Sequence, residues 1–397
     1  MKEYIQLAWR NLWRNKRRSI LTIASVFFAV FLALIMRSMQ VGSYDNMISN
    51  AVRNATGYIQ VHAPGYWEDK TIDNTFEDNQ ALEESVLAVN NVSGLIPRLE
   101  SFALASSGNK TKGVGIIGTD PIKEDDVTGL KKRLVDGRYF NHSSSEILVA
   151  ENLAKYLEIS VGDSLVLLSQ GYHGVSAAGL FHIVGIVSFP SPAMNSQLIY
   201  MPLEDAQYFY AAPAHLTSLS IMLDDPGILE ETREGIIAAI GENYEVMTWE
   251  EMLTALVQGI ESDNVSGWFM LGILYMVVAF GIFGTMLMMT MERKREFAVM
   301  VSIGMHRSKL ARILTVETTF IALIGILAGI VASIPICYYF FQFPIQLTGE
   351  AAKAMIDFNV EPIMPFAFKS YIFIQQTIIV LILTWLAALF PITYVQR

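Results

Sequence analysis

Cysteine occurs once in these 397 residues, at Cys337, so one chain can build neither a disulfide framework nor a cysteine-based metal site. The six histidines (His62, His142, His173, His182, His215 and His306) include no H-x-x-x-H pair, and zinc is not expected. No G-x-x-x-x-G-K-[ST] loop is present, which excludes nucleotide hydrolysis of the phosphate-loop kind. A G-x-S-x-G nucleophile elbow is missing too. The most informative absence is of charge. Ser19–Met36, Val265–Met291, Thr318–Gly349 and Ser370–Phe390 contain no charged residue. Runs near or beyond about 20 apolar residues suffice for a helix to cross a hydrocarbon core. With 52% hydrophobic residues and a mean hydropathy of +0.38, the chain reads as membrane-spanning, with room for a separate domain.

What remains between these runs is sharply partitioned. Residues 41–265 hold 12 Lys and Arg against 31 Asp and Glu, a net of −19, although the whole chain is only −10. The rest is therefore basic. The island Met291–Glu317 carries Arg293, Lys294, Arg295, Arg307, Lys309 and Arg312, and short basic loops stay cytoplasmic. Both termini are then expected inside and the acidic block outside. Within the island Phe297, Met300, Val301 and Met305 recur at helical spacing, so part of it is expected to form a short amphipathic helix that Gly304 ends. Glu317, just inside the next apolar run, needs Arg312 or a basic residue of the island as partner. At the N-terminus, Tyr4, Ile5, Ala8, Trp9, Leu12 and Trp13 form one stripe. That suits an interfacial helix anchored on the anionic leaflet by Trp9, Trp13, Arg14 and Arg17.

The expected order is an interfacial helix over 1–18, spans over 19–40, 266–291, 313–341 and 370–391, an outer domain over 41–265, an inner loop over 292–312, a short outer loop over 342–369 and an inner tail over 392–397. Ser25, Ala29 and Ala33 in the first span and Gly325 and Gly329 in the third are small-residue faces for close helix packing. The Met-rich second span, with Met270 and Met276, offers an adaptable apolar surface. These faces could line a substrate cleft. In the outer block, strands are expected at Tyr58–His62, Ser101–Ala105, Gly113–Ile117, Glu146–Ala150, Ser164–Leu168, Phe181–Ser188 and Gln197–Met201, with helices at Glu151–Leu157 and Asp225–Gly241. The domain is therefore mixed α/β. Glu124-Asp125-Asp126 is expected to be a solvated turn.

The island ERKREFAVMVSIGMHRSKLARILTVE resembles the signature of FtsX-like ABC transporter permeases, E-R-x-x-E-[FI]-G-x-x-x-[AS]-[IL]-G-x-x-x-x-x-[IL]. Glu292, Arg293, Glu296, Phe297, Ser302, Ile303, Gly304 and Leu310 match, while Ala298 replaces a glycine. The opening LAWRNLWRNKRRSILTI is similar as well. The stretches GRYF…SEILVAENLAKYLEISVGDSLVLL, FHIVGIVSFPSP…LIYMPLEDAQ and VMTWEEML resemble the MacB-type periplasmic core. The segment 56–62, TGYIQVH, and four spans are closest to lipoprotein-releasing (Lol-type) permeases. Members of the family usually carry a basic PAxxAxxxxPxxALR tail; this sequence stops at Arg397, so that tail is expected to be shortened or missing.

The resemblance implies a bacterial inner-membrane permease with no cofactor of its own and no enzymatic activity. A separate pair of ABC ATPase subunits would hold ATP and Mg and dock on a coupling helix bearing Glu292, Arg293, Glu296, Phe297, Met300, Val301, Ile303 and Gly304. A second permease, identical or homologous, membrane lipid, a lipoprotein and a periplasmic carrier are the other implied partners; nucleic acid is not. Alternatives are MacB-like export of peptides or drugs, FtsX-like force transmission to cell-wall hydrolases and, outside the family, a membrane sensor.

Overall fold

Four helices among the described residues are long and apolar enough to cross a membrane. In the computed structural model, which describes residues 2–14, 16–142, 145–357 and 360–396, they belong to one of two compact units. That unit comprises Met1–Asn46, Gln258–Gln346 and Ile363–Arg397; the other comprises Met47–Val257 and Leu347–Pro362.

The helical unit begins with α1 (Lys2–Arg14) and α2 (Lys16–Ala51). At 1.5 Å per residue, the 36 residues of α2 extend about 54 Å, well past the expected span of 19–40. The second long helix, α5 (Thr254–Glu292), likewise starts twelve residues before the expected 266. A hydrocarbon core limits only the apolar stretch, so polar helical turns can continue beyond it. After the short α6 (Lys294–Ser302) come α7 (Arg307–Gln342) and α8 (Ser370–Gln396). Pro335 and Pro391 lie inside α7 and α8 without ending them. Threonines in these helices, such as Thr290, Thr318 and Thr384, bond back to carbonyls one turn earlier. That satisfies their hydroxyls where water is excluded.

The second unit is built on ten paired strands among the described residues: β1 (Ile59–His62), β2 (Val92–Ser107), β3 (Lys110–Thr119), β4 (Leu134–Gly137), β5 (Glu146–Ala150), β6 (Ser164–Gln170), β7 (Ser176–Val187), β8 (Leu198–Pro202), β9 (Ser218–Leu223) and β10 (Glu245–Thr248). Their order is β10-β1-β9-β2-β3-β8-β5-β7-β4, with β6 pairing β2 and β7. Only β3–β8 and β5–β7 run parallel. The β2–β3 hairpin is the backbone of the sheet, paired from Arg98–Thr119 to Ser107–Lys110. It is longer than expected: β2 begins at Val92 rather than Ser101, and the polar ends 106–107 and 110–112 continue the ladder to the turn.

Two cores flank the sheet's ends. One gathers Leu99, Ile116, Leu148, Leu153, Leu165, Tyr200 and Phe209; the other gathers Ile59, Val61, Leu216, Leu219, Ile221 and Ile236. The latter packs beneath α4 (Leu229–Ile240), preceded by a 3-10 turn at Pro226–Ile228. Between α2 and β1 the chain makes a π-helical turn, Val52–Thr56, closed by Gly57 N–H donating to Val52 O at 2.7 Å. Gly57 has φ +69° and a Cβ there would meet the Ile221 carbonyl at 2.9 Å, so the turn needs glycine.

The expected solvated turn at Glu124–Asp126 is wrong. Those residues lie in α3 (Pro121–Thr128), capped by Asp120, and Glu124 is fully buried. Its carboxylate accepts from Arg98 Nε at 3.0 Å and Nη2 at 2.8 Å, and from Thr119 Oγ1 at 3.0 Å. Arg98, 1% exposed, also donates to the Ala55 carbonyl at 2.5 Å. A buried arginine thus ties the helix α3 to the turn that follows α2.

Candidate coupling interface

The island folds as a short helix seated on its neighbours. Phe297 of α6 is buried with Leu310 and Leu314 of α7, and Met300, Val301, Met305 and Ile392 pack against them. The helix stops at Ser302, and Gly304 follows with φ +101°, where a side chain would be strained. The opposite face stays open. Lys294, Arg295 and Ala298 are exposed, as are Val299 and Ile303, the latter 82% exposed. Beside this helix lies a cavity of about 490 Å³ lined by Lys294, Phe297, Val301, Arg307 and Tyr394 among others.

Charge fixes the helix in place. Arg293, buried, donates from Nη1 to both Glu317 oxygens, at 2.9 and 3.2 Å. Of the island's bases it is therefore Arg293, not Arg312, that pairs with Glu317. Arg293 Nε reaches Glu296 at 3.4 Å, and Glu296 also accepts from Arg14. Arg18 pairs with Glu292. The signature residues Glu292, Arg293 and Glu296 therefore tie the end of α5 and the start of α6 to α2, α7 and α1.

The expected site residues separate into three groups. Glu292, Arg293, Glu296, Phe297, Met300 and Val301 hold α6 to the bundle, whereas Ile303 and Gly304 lie on its open side. Ala29 and Ala33 are fully buried, and Ser25 is half-buried and bonds back to Leu21. Gly325 and Gly329 receive α2: a Cβ on them would sit 2.7 Å from Val26 Cβ and 2.9 Å from Val30 Cβ. These small residues are thus taken up in helix packing within the chain. Met270 and Met276 remain exposed on α5. At the N-terminus Ala8 and Leu12 are buried, while Trp9 and Trp13 are exposed and meet edge to face at 5.9 Å; Trp9 also meets Phe320 at 5.6 Å. Arg17 is exposed.

A polar clamp joining α2 to α5 was not anticipated. Arg37 Nη1 donates to Asn264 Oδ1 and Gln40 Oε1, both at 2.7 Å, and its guanidinium lies 5.0 Å from the Trp268 ring. Gln40 and Tyr44 both donate to Asp263, and Gly267 leaves room for the Gln40 amide. The only trace in the sequence is that MRSMQVGSYDN and ESDN both border apolar runs.

The model of the MacB-like periplasmic core domain matches residues 19–239, and that of the FtsX-like permease C-terminal region matches residues 268–396. The chain belongs to the MacB/FtsX family of ABC transporter permeases. Among its relatives is the lipoprotein-releasing system transmembrane protein LolC of Neisseria meningitidis, 21% identical over 80% of this chain and 76% of LolC. LolE of Haemophilus influenzae is 22% identical over 83% of this chain and 80% of its own length. The macrolide export ATP-binding/permease protein MacB of Hyphomonas neptunium is 22% identical over 90% of this chain and 56% of that protein. The periplasmic region of MacB from Actinobacillus actinomycetemcomitans aligns with 52% of the permease and 95% of its own length, at 15% identity and a TM-score of 0.37. The permease is thus a membrane protein with four apolar helices and a mixed α/β domain placed in sequence between the first and second.

Proposed function

We propose that this permease couples ATP hydrolysis on a separate ATPase pair to release of lipoproteins from the outer leaflet of a bacterial inner membrane. The observation that carries the reading is the open face of α6. An exposed Ile303 beside Val299, Lys294 and Arg295, on a helix braced from behind by Phe297 and Glu317, suits a partner protein more than water. The ATPase subunits, holding ATP and Mg, dock there from the cytoplasm, with both termini on the same side and the acidic 41–265 block in the periplasm. Closure of the ATPases tilts α6, the ion pairs to Arg14, Arg18 and Glu317 carry that tilt into α1, α2 and α7, and the Arg37–Asn264 clamp makes α2 and α5 move together. Such motion is a two-state element biased by energy released elsewhere. The exposed face of α5 with Met270 and Met276 accommodates acyl chains where it meets a second permease, each buried CH₂ contributing about 0.8 kcal/mol. LolC and LolE relatives matched over 80% and 83% of this chain favour lipoprotein cargo; the likeness to MacB keeps peptide or drug export as the second reading.

The test is Ile303→Asp in membranes holding the whole complex. The expected outcome is loss of the co-purifying ATPase and of lipoprotein release, with the outer domain still folded. Full retention of both removes α6 from the mechanism, and release of a macrolide or peptide but no lipoprotein decides for export.

A further inference from the structure

The cavity beside α6 is left unused by a partner seated on Val299 and Ile303. At about 100° per residue, Lys294, Ala298 and Val301 fall on a different side of α6 from Arg295 and Val299. It is the first three that line the cavity, which holds about 490 Å³, a volume in the range of small-molecule sites. Its other walls include the ends of apolar helices. Thr290 lies in the last turn of α5, Arg307 and Leu310 in the first turn of α7, and Tyr394 in the last turn of α8. Three helices long enough to cross a membrane end here, so the cavity lies at the depth where hydrocarbon gives way to lipid headgroups.

The lining is positive and apolar at once. Phe297 and Leu310, both buried, give the cavity an apolar back, while Lys294 and Arg307 are exposed cations. Among the described residues no acid lines it, and the island's three glutamates are engaged elsewhere. Glu292 is held by Arg18, Glu296 by Arg14 and Arg293, and Glu317 by Arg293. Lys294 has no ion-pair partner among the described residues. Basic pockets between helix ends at this depth are complementary to a phosphate that carries acyl chains. A free anion would leave Phe297 and Leu310 unmatched. A zwitterionic lipid would bring its own cation up against Lys294 and Arg307.

We propose that this cavity binds one anionic phospholipid, its phosphate held by Lys294 and Arg307 and its glycerol ester resting on Phe297 and Leu310. An occupied cavity braces α6 against the end of α8. The site lies within the helical unit alone; only the choice of leaflet, the cytoplasmic one, rests on the orientation proposed above.

Native mass spectrometry of the purified full chain tests it, after delipidation and titration with dioleoyl phosphatidylglycerol or dioleoyl phosphatidylcholine, which differ only in the headgroup. One phosphatidylglycerol is expected to bind, about tenfold or more tighter than phosphatidylcholine. Lys294→Gln is expected to weaken phosphatidylglycerol about fivefold and to leave phosphatidylcholine unchanged. Ala298→Trp fills part of the cavity without altering its charge and is expected to weaken phosphatidylglycerol as well. Lys309→Gln removes an exposed island charge outside the cavity lining and is expected to change neither lipid. Equal binding of the two lipids, an unchanged preference in both Lys294→Gln and Ala298→Trp, or an equal loss in Lys309→Gln would each overturn the proposal. So would loss of the co-purifying ATPase in Lys294→Gln with lipid preference intact, which assigns the cavity to protein docking. Binding is read on the chain alone, so an Ile303→Asp protein that keeps its ATPase would sink the transport reading and leave this result standing.

Discussion

The two units each bury an arginine against a glutamate, and the two pairs are built differently. In the outer unit Arg98 and Glu124 meet bidentately, at 2.8 and 3.0 Å; Thr119 and the Ala55 carbonyl add further bonds, and Glu100 Oε1 lies 3.5 Å from Arg98 Nη1. Both side chains are essentially without water. In the helical unit Glu317 is equally buried, but Arg293 extends to Glu296, which is half open to solvent and shared with Arg14. One pair is closed by two short hydrogen bonds, with the longer approach of Arg98 to Glu100 at its margin. The other is the inner end of a chain of charges that reaches the surface. A closed pair can only hold its elements together, whereas an open chain has alternative partners and can be rearranged from outside at modest cost.

The comparison breaks first at Arg98. Arg98→Met leaves Glu124 buried and uncompensated, a situation that costs about 3–5 kcal/mol. Glu124→Gln strands the guanidinium in the same way. The double variant Arg98→Met with Glu124→Leu should recover much of the loss, since a packed apolar pair can replace a buried ion pair. Urea melts of the three proteins in detergent, followed by near-ultraviolet dichroism of the outer domain, measure this. Single losses below about 1 kcal/mol would mean the pair is not closed as described.

Why this pair escapes a reading of the sequence is instructive. Acidic triplets are usually solvated, and nothing local distinguishes Glu124 from Asp125 and Asp126; only the arginine 26 residues earlier makes it interior. In GLIPRLESF a lone arginine among apolar residues is the available sign. The central strand β9, SLSIML, goes unrecognised for a related reason: Ser218 and Ser220 are fully buried, and Ser220 bonds to Gln60 at 3.1 Å, so the polar positions do not mark solvent. By contrast the four apolar helices, the mixed α/β domain and the stop at Gly304 are legible, because hydrocarbon length and a positive φ act on few neighbouring residues. The spacing of Gly325 and Gly329 is legible as well, but not its partner, which comes from a helix about 300 residues earlier. The Arg37–Asn264 clamp is invisible on the same grounds.

A second break lies in pH. His62 is fully buried between Gln60 and Trp67, its Nε2 2.7 Å from Gln60 Oε1. Burial, aided by the Lys70 charge, lowers its pKa from 6.5 to about 4. The unfolded chain therefore takes up the extra proton first. The stability that neutral His62 contributes is complete above pH 6.5, is lost as the pH falls toward 4, and changes little below that. Its size is up to about 3 kcal/mol. Melting the outer domain from pH 7 to 4 should show this loss, and His62→Gln should flatten it. An equally steep curve in the variant would assign the acid sensitivity to other groups.

The smallest effect is expected at Arg14, and it sharpens the contrast most. Its pair with Glu296 is exposed on both sides, and such pairs contribute only about 0–1 kcal/mol and weaken with salt. Arg14→Ala should therefore leave the melting of either unit nearly unchanged. Since Glu296 is shared with Arg293, the charge reversal Arg14→Glu would repel Glu296 and disturb the set that seats α6. Pairing it with Glu296→Arg would restore attraction between α1 and α6 while setting the introduced guanidinium against Arg293. Partial rescue of ATPase coupling by the double reversal, greater at low salt than at high, is the result that an open chain of charges requires. A stability loss for Arg14→Ala as large as that for Arg98→Met would erase the distinction, because it would mean that a solvent-exposed pair and a closed one hold their helices equally hard.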